Sequence, residues 1–323
     1  MINNYLFEVP AKFAAAYQAN QLSRFGGVLK DNATGQIVGH LQESGISNNV
    51  MSGFLASPLA PMNAISSLTA NVQLANIKGM LELMQVFQFA TMGISIAGLG
   101  VSAVGFTILN KKINAISHAV GKLDDAVENG FRAMLKARVR DAIVDLKGTI
   151  AVAEHKFALG ESGREWDSLG KKFIEKSERF RSEVQAILNE DSFDEEAFDS
   201  MLGALLLSNS SACKSFLLAD NLIASRHHAE VASKTYDSLF DEVTPALLAS
   251  RLRGTPGSDY DGSYNAETLA VAQHRVRFIR DIQESAASLP YLMETLRDRS
   301  IPGFEYVTAI QKNTREPLLV LAA

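Results

Sequence analysis

The chain has 323 residues, 47% of them hydrophobic and 21% charged, with a formal net charge of -5. That length suffices for a substantial core in one large or two modest domains, and the composition excludes wholesale disorder. The acidic total argues against a general nucleic-acid binder, and a single cysteine, Cys213, excludes an internal disulfide and fits a reducing compartment.

Residues 1–43 read as a small α/β cap. The first residues, Met1-Ile-Asn-Asn-Tyr-Leu-Phe-Glu8, hold no basic stretch followed by an apolar one, so no secretory signal is expected. Helical composition after Pro10 predicts a helix over 11–22. Gly27-Val-Leu-Lys30 and 36–42 flank the turn-rich Asp31-Asn-Ala-Thr-Gly35, which predicts a β-hairpin. Residues 44–61, rich in Ser, Gly, Asn and Pro, read as a linker or irregular apolar loop. Helical character resumes near Asn63 and continues past Glu82.

Charge is spread unevenly. Between Ser44 and Asn110 the only charged residues are Lys78 and Glu82. Inside this uncharged region, 44–110, lies a segment of 21 residues without any charge, 89–109. Its apolar side chains are Phe89, Met92, Ile94, Ile96, Leu99, Val101, Val104, Phe106, Ile108 and Leu109. As a helix it would be about 30 Å long, enough to cross a bilayer core. Gly93, Gly98, Gly100 and Gly105 weaken that helix in water by about 1 kcal/mol each. Lipid changes the balance, because unpaired backbone groups there are so costly that the chain must become helical or pair in a closed barrel. Such a segment suits storage in water followed by insertion, with Lys111 and Lys112 at anionic head groups.

The next thirty residues, 111–140, hold seven basic and three acidic side chains, 7 − 3 = +4, leaving −5 − 4 = −9 for the rest. Ile113, Ile116, Val120, Leu123 and Val127 alternate three- and four-residue steps, a coiled-coil-like seam on a helix that runs on through Phe131, Met134, Val139, Ile143 and Leu146 to about Leu159. Gly160-Glu-Ser-Gly163 breaks it. Further helices are predicted at 166–188, 195–207 and 211–253, the last interrupted by Pro245. Residues 254–262 form a loop, and 266–297 a last long helix. The fold class is therefore mainly α: an elongated helical bundle (111–323) with a long amphipathic helix and a small N-terminal β-hairpin.

Three readings of 89–109 stand side by side: a conditionally inserting segment, a permanent transmembrane helix or hairpin, and the buried central helix of a soluble bundle. An apolar segment leading into a long amphipathic helix, in a helical bundle without a signal sequence, resembles the α-helical pore-forming toxins of the cytolysin A and haemolysin B type. The resemblance is architectural, spans 63–159 and carries no motif. It implies that 89–109 is stored against the bundle and released to insert during oligomerisation. The hairpin and the acidic C-terminal half fall outside it.

Catalytic motifs fail on context. Gly98-Leu-Gly100-Val-Ser-Ala103 matches a dinucleotide fingerprint, with Asp124 or Asp125 at the distance of a ribose-binding acid, but the second strand should end at that acid and the helical seam occupies its place. His227-His228 with Glu230 holds metal-ligating side chains, yet adjacent histidines point to different helix faces, so a solvated helix surface is expected. The run from Asp259 to Glu267 has only a fragment of a calcium loop. Cys213, next to Ala212 and Lys214, reads as a small core residue. No catalytic residue, metal site or cofactor is expected. The sequence thus points to a membrane-active, self-associating protein, cytoplasmic with conditional membrane association, whose partners are anionic lipid and a homo-oligomer or helical protein partner but no nucleic acid. A bacterial toxin or an antiphage effector would have this form. The alternative is a soluble coiled-coil interaction or structural module whose apolar helix is core.

Overall fold

The computed structural model describes residues 9, 11–25, 28–35, 37–41, 110, 113–114, 116–117, 130–161, 163–190, 195–251, 266–312 and 318–319. The first helix, α1 (Ala11–Gln18), ends before Asn20, which takes a left-handed backbone with φ 55°. Leu22 therefore begins a strand rather than ending the helix. β1 (Leu22–Phe25), β2 (Val28–Asp31) and β3 (Ile37–Leu41) form an antiparallel meander, so the predicted hairpin is present as β2–β3 and gains a strand in front of it. The β2–β3 turn is closed by Asp31, whose Oδ1 accepts from the backbone N–H of Ala33 (2.9 Å) and Thr34 (2.8 Å). Gly35, with φ 70°, supplies the positive angle that completes it. A short C-terminal strand, β4 (Leu318–Leu319), pairs with β3 through Leu41 and His40, bringing the two far ends of the sequence together.

Helices make up the rest. Asn110, Ile113, Asn114, Ile116 and Ser117 are helical, and α2 runs from Gly130 to Ala158. Its buried stripe is Val139, Ile143, Leu146, Ile150 and Ala153. The expected break follows, with Gly160 at φ 68° and Gly163 at φ 98°. α3 (Arg164–Asn189) is strongly amphipathic, burying Trp166, Leu169, Phe173, Ser177, Phe180, Val184 and Ile187 at three- and four-residue spacings. Acidic Glu165 and Asp167 sit in its first turn, where the helix dipole favours them.

The helix expected to end at Leu207 instead continues without a break as α4 (Glu195–Leu218). Ser208 and Ser215 do not terminate it, because each hydroxyl donates to the carbonyl four residues earlier, at Ala204 (2.8 Å) and Ser211 (2.7 Å). The true break lies at Asp220, with φ 59°, and Asn221 then caps α5 (Leu222–Phe240) by accepting from the Ala224 N–H at 3.0 Å. Thr244 and Pro245 start α6 (Pro245–Arg251) as predicted from the proline. α7 (Ala266–Asp298) and α8 (Gly303–Lys312) complete the bundle, α8 being a helix that the sequence reading left undefined.

α4 lies at the centre. α3 and α5 flank it, α2 and α8 cover further faces, and α7 packs on α5 and α6. The hydrophobic core is one cluster, from Leu29 of β2 through α2–α7 to Val307 of α8.

Candidate functional site

The predicted membrane-inserting residues Phe89, Met92, Ile94, Ile96, Leu99, Val101, Val104, Phe106, Ile108 and Leu109, and the head-group lysines Lys111 and Lys112, lie outside the described residues. The described helical residues directly after them are docked on the bundle. Ile113 and Ile116 are both 0% exposed. Asn110 Nδ2 donates to Glu154 Oε2 of α2 at 2.7 Å. Ile116 fits against α4 because residue 203 is glycine: a Cβ there would stand 3.2 Å from Ile116 Cδ1, tighter than an ordinary contact. The apolar segment is thus followed immediately by a root clamped between α2 and α4. Val120, Leu123 and Val127 of the predicted seam lie outside the described residues.

The second notable element was missed in the sequence. Ala197–Leu218 of α4 is long and apolar enough to cross a membrane, the only such helix among the described residues, and its most apolar stretch is buried throughout inside the protein. The signal was present in Met201-Leu-Gly-Ala-Leu-Leu-Leu207, but the interruption expected at 208–210 shortened it. Burial of a helix on every face removes the amphipathic period that normally marks an element.

Polar groups punctuate this core, most of them with protein partners. Asp199 pairs with Arg275 of α7 at 2.7 Å, both largely buried. Asn209 Nδ2 donates to Tyr236 Oη of α5 at 2.7 Å, and burial raises the Tyr236 hydroxyl well above its usual range. Cys213 Sγ donates to the Ser225 carbonyl (3.9 Å), and Ser225 Oγ donates to the Cys213 carbonyl (3.0 Å) with Met293 Sδ 3.4 Å away. Burial pushes the Cys213 thiol up to about 12, so it is an inert core residue as expected. Burial also pushes the Lys214 ammonium down to about 7.

His227 and His228 separate as adjacent helical residues must. His227 is exposed, but His228 is buried, a departure from the solvated surface expected for the pair. Its ring meets Phe216 edge-on at 6.4 Å, and Nε2 has no hydrogen-bond partner among the described residues. Burial, aided by neighbouring His227 and opposed by Glu178 of α3, holds the imidazole down to about 4. Glu230, the third member of that cluster, is bound instead by Arg226 at 2.9 Å. Among the described residues no three metal-ligating side chains converge. The arrangement can anchor a segment and keep Cys213 and His228 uncharged; among the described residues, the groups named here offer no nucleophile beside a base. No family model, curated protein or solved structure matches this chain.

Proposed function

We propose that the protein is a cytoplasmic, membrane-active helical bundle that associates with membranes conditionally, inserts 89–109 and perturbs or permeabilises a bilayer, as a toxin or an antiphage effector would. One observation carries the reading: a segment of 21 uncharged residues is joined directly to Lys111-Lys112 and to a root whose Ile113 and Ile116 are fully buried. An inserted segment needs both a lipid-compatible stretch and a mechanical connection to the soluble body, and this junction supplies the two in sequence. α4 is not the inserting element. Its middle is Ser208-Asn209-Ser210-Ser211, and Asn209 is satisfied by Tyr236 rather than by anything lipid could offer.

The rival reading, a soluble interaction module with an apolar core helix, is favoured by α4 itself, an apolar helix of bilayer length that this bundle keeps wholly inside. Dye release from anionic vesicles separates the two. The wild-type protein releases dye, and Val101→Asp abolishes release with an unchanged thermal transition, because a charge at a helix centre costs about 2.5–3.5 kcal/mol on insertion. An inert wild type that also fails to co-sediment with vesicles leaves the interaction module as the function.

A further inference from the structure

The outer face of α2 carries a second seam that the buried one obscures. Ala137, Asp141, Val144, Gly148, Val152, His155 and Leu159 are all exposed. Successive steps between them are 4, 3, 4, 4, 3 and 4 residues, the same read in either direction from Gly148. These steps keep all seven within one narrow stripe of an α-helix. Leu159 extends the stripe past the last residue of α2 because its N–H still bonds the His155 carbonyl, at 3.1 Å. Val144 is 57% exposed, Val152 49% and Leu159 62%. These three are among only seven large apolar side chains exposed in the described residues, so exposed hydrophobicity is concentrated here.

We propose that this face is a self-association surface on which a second copy of the chain packs its own α2 antiparallel, centred on Gly148. The symmetry of the spacing is the argument for a second copy rather than another partner, since an isologous interface must be complementary to itself. Antiparallel pairing about Gly148 sets Val144 against the other copy's Val152, twice. It sets Ala137 against Leu159 and Asp141 against His155, a carboxylate facing a ring that donates to it. A Cβ on Gly148 would meet nothing within 4 Å, so the crossing point is open for close helix approach. The one like-charged pairing, Arg140 with Lys156, is relieved because Lys156 is already bound by Glu161 and Glu165. A single helix pair covers less than the roughly 800 Å² per partner of a standard interface, which makes the dimer concentration-dependent in water. This inference stands whether or not 89–109 enters a membrane.

The test is sedimentation of the full-length protein over a concentration series, with charge swaps across the seam. Val144→Lys and Val152→Glu each weaken the dimer at least about tenfold, and the double variant restores it, because each introduced lysine then faces an introduced glutamate. Separately, Gly148→Cys forms an intermolecular disulfide under mild oxidation faster than Val231→Cys on exposed α5, with buried Cys213 silent in both. A wild type that is monomeric throughout, a double variant no better than its parents, or cross-linking that is equal at the two cysteines overturns the proposal. So does a monomer whose Val144→Lys variant loses vesicle binding instead, which would make the face a lipid contact.

Discussion

His228 is buried on α5, with Phe216 of α4 edge-on to its ring and Nε2 without a hydrogen-bond partner among the described residues. Charging this ring in place would strand a cation in an apolar site. Its folded-state value, about 4, lies below the 6.5 of a free imidazole, so the unfolded chain binds the extra proton first as pH falls. The neutral imidazole's contribution is intact above pH 6.5 and is lost as pH drops toward 4. The loss amounts to about 3 kcal/mol at its fullest. Urea unfolding at pH 7 and pH 4.5 therefore shows a wild-type midpoint that falls on acidification more than that of His228→Leu; equal falls would remove His228 as the cause. Lys214 acts in the same direction at higher pH. Its ammonium is held down to about 7 from 10.5, so its penalty grows as pH falls through that interval and is constant below it. Glycines act at the same scale. A Cβ on Gly170 would lie 2.7 Å from the Phe216 ring, and one on Gly303 would lie 2.6 Å from the Leu217 carbonyl. In each place a missing methyl group sets how closely α4 is approached.

Between elements, the buried ion pair Asp199–Arg275 is the most specific tie of α4 to α7. Removing one partner leaves a buried charge, whereas removing both does not. Asp199→Ala should therefore cost about 3–5 kcal/mol in urea unfolding, and the double replacement Asp199→Leu with Arg275→Leu clearly less. A double variant as damaged as the single one would show that the pair's charges are not what matters. Elements with local punctuation were legible in the sequence. Asp31–Gly35 marked the β2–β3 turn, Gly160 and Gly163 the α2–α3 break, and Pro245 the start of α6. The continuity of α4 was not legible, because Ser208, Asn209 and Ser210 favour turns when exposed, and only burial turns Ser208 to a helical carbonyl and Asn209 to Tyr236. β4 escaped for another reason: two residues carry no period, and their partner strand lies far away in sequence. Near the candidate site, Ile113 and Ile116, two positions of the coiled-coil-like seam seen in the sequence, are buried. The outer stripe of α2 was overlooked because the stronger inner pattern from Val139 to Leu146 dominates the same residues.

At the scale of the molecule, one helix is wrapped by segments that precede it, α2 and α3, and by segments that follow it, α5 and α8. The sheet repeats this circular logic, since its last strand is drawn from the opposite end of the sequence to the first three. The wrapping has a consequence for biosynthesis. Gly303, whose N–H donates to Asp220 Oδ1 at 2.7 Å, seals the C-terminal end of α4, and 303 − 218 = 85 residues separate it from Leu218. At about 5–20 residues per second, a ribosome takes several seconds to deliver that cover. Throughout this interval a bilayer-length apolar rod stands partly naked on the nascent chain. A chain stopped after Asp298 should consequently accumulate in the insoluble fraction, or bound to chaperones, while the full chain is soluble; equal solubility of the two would mean that α8 is dispensable as a seal.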